Sequence, residues 1–231
     1  MPTLGPTPEE LAAIEEAKIA KAAKAAERAE AERKAKEAKE AAKEAERVAQ
    51  EEAKAAAVVA AGAAGEAYAT GLKGEALVAH LKGMAVKPTG AALVAIVMSK
   101  LEEPTSLKWC AIVEYGAAIK SLVGDNAKAQ AAALHAIQAH LNSLPTKFPK
   151  VELKGKTRAV IEALFQLFYA NEVVDTMGFF EWADDDDDSN GKLTAVVQTT
   201  SFMQFLREDE DGDEEGEEGD DEEIDAPREH L

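Results

Sequence analysis

The sequence predicts an all-α protein: a long charged helix, then antiparallel helix pairs stacked as a HEAT-like α-solenoid. Three observations predict it. Residues 9–59 hold no Gly or Pro and consist mostly of Ala, Glu, Lys and Arg. Beyond Gly74, apolar residues recur at helical spacing in seven successive segments joined by short connections. No stretch in residues 75–207 alternates convincingly enough to be a strand.

The first element begins at Thr7-Pro8-Glu9-Glu10. Thr7 suits an N-cap, Pro8 the first helical position, and Glu10 the reciprocal acceptor of a capping box. Ala, Glu, Lys and Arg are strong helix formers, and pairs such as Glu30–Lys34 and Glu32–Lys36 add i, i+4 attraction. Between Lys21 and Arg47 the only apolar residue is alanine. A coiled-coil seam needs larger side chains, so the segment reads as a solvated, semi-rigid spacer. It should end near residue 59, because Gly62, Gly65, Gly71 and Gly74 interrupt the pattern. The expected organisation is a helical extension over 1–60, a glycine-rich linker over 61–74, a helical domain over 75–207 and a disordered acidic tail over 208–231.

Within the domain, helices are expected near 75–83, 90–103, 106–122, 126–144, 156–171, 173–182 and 193–207. Thr89, Thr105 and Asp125 suit starts, and Gly124 a stop. Residues 145–155 form the longest loop. Lys147, Lys150, Lys154, Lys156 and Arg158 give it and its exit a basic patch.

Charge is unevenly spread. Net charge is −3 over residues 1–71, +2 over 72–182 and −17 over 183–231, making −18 in all. Such asymmetry marks an interaction segment. Its sign argues against nucleic-acid binding there and favours a basic protein surface. Five aspartates, Asp184, Asp185, Asp186, Asp187 and Asp188, follow Trp182, and residues 208–225 hold 14 acids in 18 positions. The second run cannot bury apolar surface and should be disordered. Five consecutive acids do not make an organised cation cage. Cys110, the single cysteine, allows no internal disulfide and reads as a small buried hydrophobe in a reducing compartment. His135 and His140 lie five apart, which is not zinc spacing. The longest apolar runs are too short to span a bilayer. No cofactor is expected.

The aromatics fall between Tyr68 and Phe205. Those of 165–182 should be mostly core. The run Phe168-Tyr169-Ala170-Asn171-Glu172-Val173-Val174-Asp175 leads through Phe179, Phe180 and Glu181 to Trp182. Phe202, Leu206, Glu208, Asp209, Glu210 and Asp211 form a second aromatic-acidic stretch. Together these resemble the two aromatic-acidic boxes of the two-tryptophan (W-two) domain of the eukaryotic translation initiation factor five family. That domain also occurs in initiation factor four-gamma, in the epsilon subunit of the factor-two exchange factor and in factor-five mimic proteins. Asn126-Ala127-Lys128-Ala129-Gln130, with Leu134 and His135, resembles a third family stretch, and the likeness covers roughly residues 91–211. Ala170, Thr176 and Met177 stand where the family has acids, and Phe205 where it has its second tryptophan.

The resemblance implies a cytoplasmic, non-enzymatic module that binds lysine-rich boxes of the beta subunit of initiation factor two. It also implies bridging to initiation factors one, three and four-gamma. On this reading Tyr169, Glu172, Asp175, Glu181, Trp182, the five aspartates and Glu208–Asp211 face the partner. Lys147, Lys150, Lys154, Lys156 and Arg158 offer a second contact. No membrane or direct DNA contact is expected. Two other classes compete: a guanine-nucleotide exchange subunit with Glu172 and Asp175 as active acids, and an acidic histone-chaperone-like scaffold. Factor five's zinc cysteines are absent from this chain, and nothing in Arg28, Arg33 or Arg47 suggests the positioned arginine a GTPase activator needs.

Overall fold

The computed structural model describes residues 8–153, 155–185 and 189–214. Residues 1–56 and 57–231 are separate compact units. Thr7, Lys154, Asp186, Asp187, Asp188 and residues 215–231 lie outside the described residues, as do the side chains of residues 8–29, 31, 32 and 209–214, and with them the expected capping box at Glu10 and the Glu32–Lys36 pair.

Helix α1 spans Pro8–Ala69. In the first unit its described side chains are solvent exposed, from residue 33 onward without a break. Exposed ion pairs line it, such as Lys34–Glu30 at 2.9 Å and Arg33–Glu37 at 3.7 Å. Such pairs add only tenths of a kcal/mol each. The helix does not stop near 59 but continues through Gly62 and Gly65. Packing outweighs the glycine penalty there: Ala60, Ala63, Ala64 and Ala67, one stripe at helical spacing, are buried in the second unit.

The second unit continues with α2 (Gly74–Gly83), α3 (Gly90–Ser99), α4 (Ala117–Val123), α5 (Ala127–Ser143), α6 (Val160–Ala170), α7 (Thr176–Asp184) and α8 (Lys192–Glu214). Most helices pack on the one two places further along: α2 on α4, α3 on α5, α5 on α7, and α6 on α8. This alternation is the two-layer stack expected of helix pairs, and the fold class stands. Caps explain several boundaries. Thr89 Oγ1 accepts from the Ala92 amide, and Asn126 Oδ1, rather than Asp125, accepts from Ala129. Gly124 ends α4 at φ +51°, a conformation glycine adopts without strain.

Two further expectations need correction. The helix expected over 106–122 is broken into a 3-10 turn at Lys108–Cys110, a π-helical turn at Ile112–Gly116, and α4. A side chain at Gly116 would run into the Cys110 carbonyl, so the chain bends where only glycine fits. Thr105 accordingly starts no helix. The second correction is a hairpin where only loop and helix were expected: β1 (Lys150–Leu153) pairs antiparallel with β2 (Lys156–Ala159). Val151 and Leu153 are half-buried while Lys150 and Glu152 are exposed, a period of two too short to register in the sequence. Gly155 turns the chain at φ +72°. The hairpin is one small ribbon between α5 and α6 and leaves the helical stack intact.

Candidate functional site

The aromatic core of the second unit sits beneath α7. Trp182 is fully buried. Its ring meets Phe165 edge-on, with the ring centroids 4.8 Å apart. Its indole Nε1 donates to Gln138 Oε1 at 2.9 Å, so the one polar atom of the ring is satisfied. Lys192 lies 4.4 Å over the same ring, and its ammonium donates to the Trp182 carbonyl. That cation stands at the end of α7, where backbone carbonyls lack helical partners and the helix dipole is negative.

The start of α7 is held as firmly. Asp175 is its N-cap: Oδ1 accepts from the Gly178 amide at 2.9 Å. Oδ2 accepts from Gln130 Nε2 at 3.1 Å, and Gln130 Oε1 accepts from the Asp175 amide at 3.1 Å. Gln130 also donates to the Gly124 carbonyl. Gly178 makes room for this clamp, because a side chain there would strike the Gln130 amide. Gln130 and Gln138, eight apart and so on one face of α5, thus grip the two ends of the aromatic-acidic box. Their burial among Leu134, Ile137 and Leu141 was the available signal: two amides on an otherwise apolar helix face demand buried partners. Only Gln130 stood out in the sequence, and only through its neighbours. Gln138 and Lys192 did not.

The predicted site residues divide accordingly. Glu172 is exposed at a turn with φ +53°, where Lys120 Nζ, 2.9 Å away, holds its carboxyl below the ordinary range. Tyr169 is half-buried, edge-on to Phe179, Phe202 and Phe205. A cleft of roughly 690 Å³ joins Tyr169, Glu172 and Asp175 to Lys120 and Gln130. Glu181, Asp184 and Asp185 are exposed at the far end of α7 and, with Lys128 and His135, line a separate depression. Asp185 Oδ2 lies 3.0 Å from His135 Nε2. Glu208 is exposed on α8. Among the described residues no group of three or more His, Cys, Asp or Glu side chains is arranged to hold a metal ion.

The basic residues gather on the hairpin. Lys147, Lys150 and Lys156 are exposed, and Arg158 donates to Gln166 Oε1 at 2.8 Å. Cys110 is buried, with its thiol pushed up to about 11 by desolvation. Among the described residues no helix is long and apolar enough to cross a membrane.

Comparison with protein families matches residues 129–216 to the family described as W2: eIF4-gamma/eIF5/eIF2-epsilon. Comparison with curated proteins and with solved structures gives no match. The matched stretch runs from the first turn of α5 through the hairpin, α6 and α7 to the last residues of α8. It therefore includes both glutamine clamps, Trp182, Lys192 and both aromatic-acidic boxes. Over residues 129–216 the chain is thus similar to a family whose domains are interaction modules of translation factors.

Proposed function

We propose that this chain is a non-enzymatic adaptor of translation initiation. Its acidic surface holds a lysine-rich segment, that of the beta subunit of initiation factor two. The observation that carries this reading is the end of α7. Trp182 is immobilised by Phe165, Gln138 and Lys192, while Glu181, Asp184 and Asp185 project from the same turn into solvent. Carboxylates at the negative end of a helix are disfavoured by the dipole, so folding alone does not explain three of them there. A rigid base with outward acids suits a partner carrying ammonium groups. The acids of 186–188 and 208–223 extend the same charge. Such surfaces raise the association rate and set orientation, with a strong dependence on salt.

Two observations favour binding over nucleotide exchange. The Asp175 carboxylate is consumed by the N-cap and Gln130, and Glu172 is paired with Lys120. Neither is held ready for chemistry. The exposed lysines of the hairpin support a second contact, with initiation factors one, three or four-gamma.

The test is capture by immobilised beta subunit of initiation factor two, with and without its lysine-rich boxes. Retention that requires the boxes and vanishes at high salt is expected. Retention without the boxes contradicts the reading.

A further inference from the structure

A second surface shares Tyr169 with the cleft beside the clamp. Between α6 and α8, Tyr169, Phe202 and Phe205 line a groove of roughly 620 Å³ closed at one rim by Arg158 and Gln166. Phe205 leaves 48% of its surface exposed, although it belongs to a stacked and edge-on set of three rings. Beyond Arg158 and Gln166 the groove adjoins a second cleft of roughly 510 Å³ under the hairpin, lined by Leu153, Lys156 and Leu167. Lys156 and Arg158 share one face of β2, two residues apart, and against them stands a single acid, Glu162. The surface is therefore an apolar trough with a cationic rim.

Residues 215–231 begin where α8 ends, and they match this trough in charge. Residues 217–225 carry seven acids around Ile224, the first aliphatic residue after Leu206. Reach is sufficient. Phe205 lies nine residues before Glu214, about 14 Å back along the helix at 1.5 Å per residue. The ten residues from Glu214 to Ile224 span up to about 33 Å when extended, and Gly216 and Gly219 let the chain reverse. Linkage to α8 also keeps the effective concentration high.

We propose that residues 215–231 dock in cis on this trough, with Ile224 against Phe205 and Tyr169 and the acids before it on Lys156 and Arg158. The same segment thereby covers the basic surface that would otherwise receive an acidic partner, and it leaves when its acids are taken by a lysine-rich one. The contact goes beyond the adaptor function and does not depend on which basic partner, if any, the acids bind.

The full-length chain carrying Ala226→Cys, labelled there with a nitroxide, tests it by nuclear magnetic resonance. The buried, high-pKa thiol of Cys110 stays unlabelled. At low salt the amide signals of Arg158, Glu162 and Leu153 should be lost, equally at all protein concentrations. High salt, Ile224→Ser and Lys156→Glu should each restore them. Arg158→Glu should do the same, but Lys156→Glu decides if loss of the Gln166 bond unfolds the hairpin. Signal loss confined to the last turns of α8 would overturn the proposal. So would loss seen only when label and observed nuclei sit on different chains, which would mean a second copy fills the trough.

Discussion

At the start of α7 both oxygens of the Asp175 carboxylate accept hydrogen bonds, from the Gly178 amide and from Gln130, although the residue is exposed. At its end Glu181, Asp184 and Asp185 stand outward around the buried Trp182. The two ends belong to one aromatic-acidic stretch and carry the same chemical groups. The first end uses its charge to position the helix. At the second, Glu181 and Asp184 stand in solvent, Asp185 lies 3.0 Å from His135, and Lys192 offsets part of the strain on the helix end. Acid count is thus a poor guide to binding charge. What matters is which carboxylates hydrogen bonding within the fold has already consumed.

Trp182 underlies the second end, and its removal should have the largest effect. Trp182→Ala empties a fully buried site and leaves Gln138 Oε1 without its donor, and should cost about 3–5 kcal/mol. Chemical denaturation checks it, and an unchanged midpoint would show that the ring is not the anchor of α7. Asp175→Ala comes next. It removes the N-cap and one partner of the buried Gln130, a loss of about 1–2 kcal/mol. Peptide binding, corrected for the folded fraction, should stay close to wild type.

His140 gives a smaller, pH-dependent effect. Burial lowers its pKa, so the folded state prefers the neutral imidazole. Its contribution is complete above the unfolded value of about 6.5 and is lost as pH falls through that value toward the lowered one. His140→Gln should flatten the slope of stability in that window, measured by melting temperature between pH 7 and 5. The least visible effect is at Cys110. Its thiol, pushed up to about 11 and buried, should react with thiol reagents at pH 8 only after denaturation.

Much of this was legible in the sequence, for identifiable reasons. Helices α2, α3, α5 and α8 announce themselves through periodicity and, at α3, through the Thr89 cap, because local chemistry decides them. Among the residues on which the family resemblance rested, Val173, Val174, Trp182, Phe202 and Leu206 are buried, Tyr169 and Phe180 are half-buried, and Glu172, Asp175 and Glu208 are exposed. The rest depends on partners distant in sequence. The continuation of α1 through Gly62 is decided by alanine burial. The broken segment before α4 is decided by the approach of Gly116 to Cys110. The hairpin has strands of four residues, below the length at which alternation separates from chance. The division of Asp175 from Asp184 is set by Gln130, 45 residues away.

Titrating a lysine-rich peptide against the wild type, Asp175→Ala, and a double variant Asp184→Asn with Asp185→Ser compares the two ends most directly, at low and high salt. The double variant removes outward charge and the contact to His135, so its stability should change by no more than about 0.5–1 kcal/mol. It should bind several-fold more weakly at low salt, with the difference shrinking as salt rises. Asp175→Ala should bind like wild type once its folded fraction is counted. Equal affinities for wild type and the double variant, or a loss confined to Asp175→Ala, would contradict the division of labour along α7.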